Sequence, residues 1–181
     1  NQSNDFYYWS GTGSRTQMAT NPYNAGSVSV TQGSMCMTAN GNLLVEHQNP
    51  QTGYPTVSVT SNLGASWGSE RIGTSGYWNG PIKLLPNGIL AGVFSGRFRY
   101  NTNASGLAAW SYGASLTNSR CVTSLNSGTY IIGTSDGYIH TASSISGSFT
   151  SQVQLTTLSP GIKHLLSDGT TAYALSGDGV W

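Results

Sequence analysis

The segment PIKLLPNGILAGVF (residues 81–94) decides the fold. A short apolar run meets the pair Asn87-Gly88, and a second apolar run leaves it. The same design returns as SMCMTANGNLLVEH (34–47), SRCVTSLNSGTYIIG (119–133) and GIKHLLSDGTTAYAL (161–175). Glycine tolerates positive φ, and Asn or Asp nearly so, which suits two-residue hairpin turns. The turn glycines Gly41, Gly88, Gly128 and Gly169 are spaced 47, 40 and 41 residues apart. A period of that length marks a propeller, a solenoid or an array.

A second hairpin follows each of the first three. TVSVTSNLGASWGSERI (56–72), FRYNTNASGLAAWSYGASL (98–116) and YIHTASSISGSFTSQVQL (138–155) each read strand, Ser/Asn/Gly turn, aromatic, strand. The aromatics are Trp67, Trp110 and Phe149. One unit is therefore four strands in roughly 42 residues, the size of a propeller blade. The fourth unit runs out after SGDGVW, and the missing half matches DFYYWSGTGSRTQMA near the N-terminus. The expectation is one all-β domain, a four-bladed β-propeller over 1–181. Its units span about 30–76, 77–118, 119–159, and 160–181 completed by 1–29. Pairing the N-terminal strands onto the last blade would close the ring and remove an exposed sheet edge. Val180-Trp181 overlaps the role expected of Phe6–Trp9, so a longer propeller or strand exchange between chains stays open.

Composition narrows the function. Only 7% of residues are Asp, Glu, Lys or Arg and the net charge is +1, against about 25% charged residues in ordinary domains. That leaves no electrostatic footprint for nucleic acid or an anionic membrane. No apolar run is long enough for a membrane helix. A surface hydrated by Ser, Thr, Asn and Gly is expected for a secreted, extracellular or virion protein. The start at Asn1 rather than Met agrees with a removed leader or an excised piece.

Thr60-Ser-Asn-Leu-Gly-Ala-Ser-Trp67 resembles the Asp-box, or bacterial neuraminidase repeat, of pattern Ser/Thr-x-Asp-x-Gly-x-Thr-Trp. Asn62 stands where the pattern has Asp, and Ser66 where it has Thr. The resemblance implies a propeller turn between a blade's third and fourth strands. Asn62 is then expected to bond nearby backbone N–H groups. Gly64 takes a conformation a Cβ would forbid, and Trp67 packs between adjacent sheets.

The sialidases of that family need an arginine cluster, a Tyr–Glu pair and an Asp acid. Here Arg15, Arg71, Arg97, Arg99 and Arg120 meet only Glu46 and Glu70 as glutamates. Hydrolysis across a cleft needs two facing carboxylates, and only Glu46 is expected near a cleft mouth. A sialidase-like hydrolase fragment is thus the third reading. His47, His140 and His164 share no metal-ligand spacing, and no cofactor is implied. Cys36 and Cys121 hold matching places on inner strands, with Lys83 and Lys163 at the equivalent places between them. They are expected to line a channel, more readily as separate thiols than as a disulfide.

Binding is the first reading. The loops of one propeller face carry Tyr23, His47, Gln48, Tyr54, Tyr77, Trp78, Asn79 and Asn118. Aromatic faces with amides suit sugars, so the expected partner is a glycan or glycosylated surface, met without catalysis, as in a lectin or adhesin. The second reading is a structural subunit of a virion, tail fibre or extracellular appendage, with a homo-oligomer in prospect.

Overall fold

In each of the first three repeat turns the glycine accepts the strain. Gly41, Gly88 and Gly128 have φ of 76°, 82° and 87°. In each, the glycine N–H donates to the carbonyl three residues back: Thr38, Leu85 and Leu125 at 2.9, 2.9 and 3.1 Å. That earlier residue's N–H donates to the carbonyl one residue past the glycine: Asn42, Ile89 and Thr129. These are three-residue loops, a tight turn followed by a left-handed glycine, and not the two-residue turns expected from sequence. The reason is local: Asn40, Asn87 and Ser127 keep negative φ, so the glycine alone takes the left-handed position.

The computed structural model describes residues 7–8, 13–18, 35–49, 52–73, 78–94, 96–108, 110–149 and 151–181. Every element among them is a strand. With no helix there, none is long and apolar enough to cross a membrane. Strands β1 (Tyr7–Tyr8) and β2 (Thr16–Gln17) pair with each other. The first four-stranded sheet runs β3 (Met35–Met37), β4 (Leu43–Gln48), β5 (Pro55–Thr60), β6 (Gly68–Arg71). The second runs β7 (Trp78–Leu84), β8 (Leu90–Phe94), β9 (Arg97–Asn101), β10 (Ser111–Ser115). The third runs β11 (Ser119–Ser124), β12 (Tyr130–Thr134), β13 (Tyr138–Ala142), β14 (Ser151–Gln154). The last is the pair β15 (Ile162–Ser167) and β16 (Ala172–Ser176). All pairings are antiparallel and join strands consecutive in the chain.

The core lies between sheets. Leu44, Val57, Val59 and Ile72 of the first sheet meet Ile82 and Leu90 of the second. Val93 and Phe98 of the second meet Val122, Tyr130 and Ile132 of the third. Cys121 and Ile131 of the third meet Ile162, Leu165 and Ala174 of the last. A middle sheet is thus apolar on both faces, which is why β8 and β12 are buried along their whole length and read as continuous apolar runs. Each such side chain contributes about 1.5–3 kcal/mol by leaving water.

The far face of β15–β16 differs. Leu166 and Tyr173 are directly opposite and exposed, and Leu175 is exposed beside them. The outer edge of β16 is taken by the chain's last residues: Ala174 and Trp181 exchange backbone hydrogen bonds at 3.1 and 2.9 Å. Among the described residues β1 and β2 pair only with each other.

Candidate functional site

Two outer strands of the second sheet carry most of the candidate site. In β9, Arg97 and Arg99 alternate with Phe98 and Tyr100, so both arginines share a face. Tyr112 of β10 lies directly opposite Arg99. The Arg99 guanidinium lies against the Tyr112 ring, with the Arg97 guanidinium 5.1 Å from its centroid. Gly92, paired with Arg99 on β8, cannot carry a side chain, because a Cβ there would come 2.9 Å from Ile82 Cγ1.

The first sheet supplies the opposite wall. Arg71 ends β6, donates from Nε to the Gly73 carbonyl at 2.7 Å, and stacks 3.5 Å over the Tyr54 ring. Arg71, Ile72, Gly73, Arg99, Trp110 and Tyr112 line a cleft of about 210 Å³. Trp110 is fixed by donating Nε1–H to the Gly106 carbonyl at 3.1 Å and by packing on the core between the two sheets. The Glu70 carboxylate accepts the Ala108 N–H, which ties the β9–β10 loop to the first sheet.

Arg99 is only 3% exposed, and its Nε finds no hydrogen-bond partner. Burial, with the Arg97 charge adding to it, pushes its guanidinium below the usual range, opposed by the Tyr112 charge and a side-chain hydrogen bond with Tyr112. Among the described residues no carboxylate pairs with Arg71, Arg97 or Arg99. The two glutamates are engaged elsewhere, Glu70 as above and Glu46 as below.

Of the residues expected to form a binding face, His47, Tyr54 and Asn118 have described side chains, each with its own partners. His47 is buried in β4 and bonds Ser58 Oγ from Nε2 at 2.8 Å, with Ser58 Oγ in turn 2.7 Å from Ser69 Oγ. It sits within the sheet and is not displayed on a loop, because β4 keeps pairing with β5 through His47 and Gln48. Tyr54 is half-buried beneath Arg71, close to the cleft. Asn118 is exposed at φ 63° and donates to Asp136 Oδ2 at 3.2 Å, well along the chain from Tyr54. Tyr23 and Tyr77 lie outside the described residues, as do the side chains of Gln48, Trp78 and Asn79.

The turn after β5 is held by side-chain hydrogen bonds. Asn62 Oδ1 accepts from the Thr60 hydroxyl at 2.8 Å and from Ser66 N–H at 3.0 Å, and Asn62 Nδ2 donates to Ser66 Oγ at 2.9 Å. Gly64 has φ 84° and donates to Thr60 Oγ1. Trp67 is half-buried.

Glu46 requires a correction. It is fully buried between the first two sheets and accepts Ile82 N–H at 3.2 Å, so it stands at no cleft mouth. Its place on the face of β4 that turns toward the second sheet puts it there. Cys36 and Cys121 are free thiols. Burial, with the Glu46 charge adding to it, pushes Cys36 up to about 12; burial pushes Cys121 up to about 11, opposed by Lys83. Lys83 itself is pushed down by burial and donates to the Leu165 carbonyl at 2.5 Å, spanning from the second sheet to the last. Lys163 is exposed. Among the described residues no three His, Cys, Asp or Glu gather to hold a metal.

Sequence reading missed the Arg71–Arg99–Tyr112 cleft. A signal existed: Arg97-Phe-Arg99-Tyr100 places two cations on one strand face in a chain with seven Lys and Arg in all. The facing of Tyr112 needed the hairpin register, which a β-bulge between Tyr112 and Ser115 shifts.

No family model matches the chain. No curated protein matches it either. Among solved structures it is similar to the computationally designed Ika4 protein, at 13% identity and a TM-score of 0.56, over 87% of this chain and 93% of that one. It is also similar to BamB from Moraxella catarrhalis, at 14% identity and a TM-score of 0.41, over 77% of this chain and 52% of that one. At such identity the likeness to Ika4 speaks to the fold alone.

Proposed function

We propose that the protein recognises carbohydrate without catalysis, as a lectin or adhesin on an extracellular or virion surface. One observation carries the reading: Trp110, Tyr112 and the neighbouring Tyr54 surround an open cleft whose polar lining is guanidinium. Aromatic rings take the apolar face of a sugar while fixed donors take its oxygens. Tyr77, Trp78, Asn79 and Tyr23 would form a second contact region. Each ring contributes on the order of 1 kcal/mol, so one site binds in the micromolar to millimolar range and gains from multivalency. A glycan array on the intact chain tests the reading. Tyr112→Ala should weaken binding at the cleft and Trp78→Ala at the second region. An array with no bound glycan would end the proposal.

The architecture proposed for this function is a four-bladed propeller with an Asp-box-like turn at Thr60–Trp67. Two packing facts support it. Trp110 of the second unit packs on the core shared with the first, and Phe149 of the third meets Phe98 of the second at 5.7 Å. By that rule Trp67 belongs against a unit preceding the first, which closure would supply from the fourth. The turn at Ser176–Val180 also parallels the turn at Thr134–Tyr138, so Val180-Trp181 begins a third strand that Tyr7–Tyr8 would continue.

The exposed Leu166, Tyr173 and Leu175 favour a second reading, a structural subunit whose open sheet face is covered by another copy. Sedimentation over a concentration series separates the two. A monomer at all concentrations fits ring closure, and assembly fits the subunit.

A further inference from the structure

We propose that the cleft between β6 and β9–β10 takes the carboxylate or sulfate group of an acidic sugar, with Arg99 and Arg71 as its cationic partners. The proposal rests on the carbohydrate reading and adds the charge of the ligand.

Arg99 is the reason. A buried guanidinium with an unsatisfied N–H is costly, and natural folds seldom carry one to no purpose. Tyr112 offsets part of the cost through its ring and a side-chain hydrogen bond. Arg99 Nε still has no acceptor, and the Glu46 and Glu70 carboxylates accept from Ile82 N–H and Ala108 N–H. Arg71 adds a second cation on the opposite wall. A guanidinium offers paired N–H groups in a plane, which match the two oxygens of a carboxylate or sulfate. Volume sets the size of the ligand. About 210 Å³ is below the roughly 300–1,000 Å³ of pockets that engulf drug-sized molecules, so a single acidic ring fits, its apolar face on Trp110. The low overall charge of the chain makes this local concentration of cations selective: elsewhere few groups attract an anion.

Calorimetric titration of the full chain with glucuronate, glucose 6-sulfate, glucose and acetate tests it. One of the two acidic sugars should bind at least about tenfold tighter than both glucose and acetate, the factor expected from one charge-assisted hydrogen bond. Which of the two wins identifies the oxyanion. Arg99→Gln should remove the preference. Arg71→Gln, at an exposed position, should weaken the acidic sugar by about tenfold. Glucose binding as tightly as the acids overturns the proposal and leaves the carbohydrate reading standing. Acetate binding as tightly as the acidic sugars overturns both for this cleft. Wild-type affinity in Arg71→Gln and Arg99→Gln also overturns it, by placing the site elsewhere.

Discussion

Arg99 sets a stability against a function. Arg99 is buried with an unsatisfied Nε, and replacing buried ionic groups by apolar chains of similar volume is often neutral or stabilising. Arg99→Met should therefore raise the melting temperature without ligand, by a few degrees for a chain of this size. A clear fall in a thermal melt would mean that the stack on Tyr112 outweighs desolvation. The thiols give a second prediction. Their ordinary value is 9.0, and the native values are about 12 for Cys36 and about 11 for Cys121. Between those limits the unfolded chain loses protons that the native chain keeps. Their contribution is fully present below pH 9 and is lost as pH rises through 9 to 12. Lys83, pushed down by burial, acts in the opposite sense below 10.5. The Cys36→Ala, Cys121→Ala double variant should thus show a shallower alkaline fall in urea midpoint than wild type from pH 9 to 11. Cysteine positions were legible from the repeat, since both fall on the first strand of a unit, ahead of its turn glycine. The roles of His47 and Glu46 were not, because one-dimensional spacing cannot say which face of β4 meets another sheet.

At the level of elements, the repeat turns were readable because a left-handed position demands glycine whatever surrounds it. Their exact loop length was not, since Asn-Gly and Ser-Gly suit both two- and three-residue hairpins. Gly88→Ala should cost about 1 kcal/mol, from backbone conformation alone, because nothing lies within 4 Å of a Cβ there. Gly133→Ala should cost more, since its Cβ would fall 2.5 Å from Ile162 Cγ2 and 2.8 Å from Cys121 Sγ, where the third sheet meets the last. Comparing the two denaturation midpoints checks both. The turn after β5 supplies a further test. Asn62→Ala removes an acceptor serving Thr60 and Ser66 and should lower stability by about 1 kcal/mol. Asn62→Asp keeps that acceptor, charged, and should hold or exceed the wild-type melting temperature. Equal loss in both would detach the side-chain oxygen from the turn's stability.

For the whole molecule, a 40-residue period pointed to stacked four-stranded sheets, and three of them are present with their cores between neighbours. The ring was the harder inference, because closure depends on contacts between the two ends of the chain, which no local pattern encodes. Deleting residues 1–20 tests it: if β1–β2 complete the last unit, the truncated chain should aggregate or melt lower, and an unchanged monomeric melt would refute closure. The pairing pattern has a further consequence for biogenesis. Because every ladder among the described residues joins strands adjacent in sequence, each four-stranded sheet needs only some 40 residues of chain to be complete. Sheets so connected have low contact order for an all-β protein, and loop closure slows them little. On the ribosome the first sheet can form while the third is still being synthesised, and each later sheet lays its apolar face on one already folded. Synthesis from one end thus suits this chain, and the apolar face of the newest sheet is the surface that waits, unprotected, for the next.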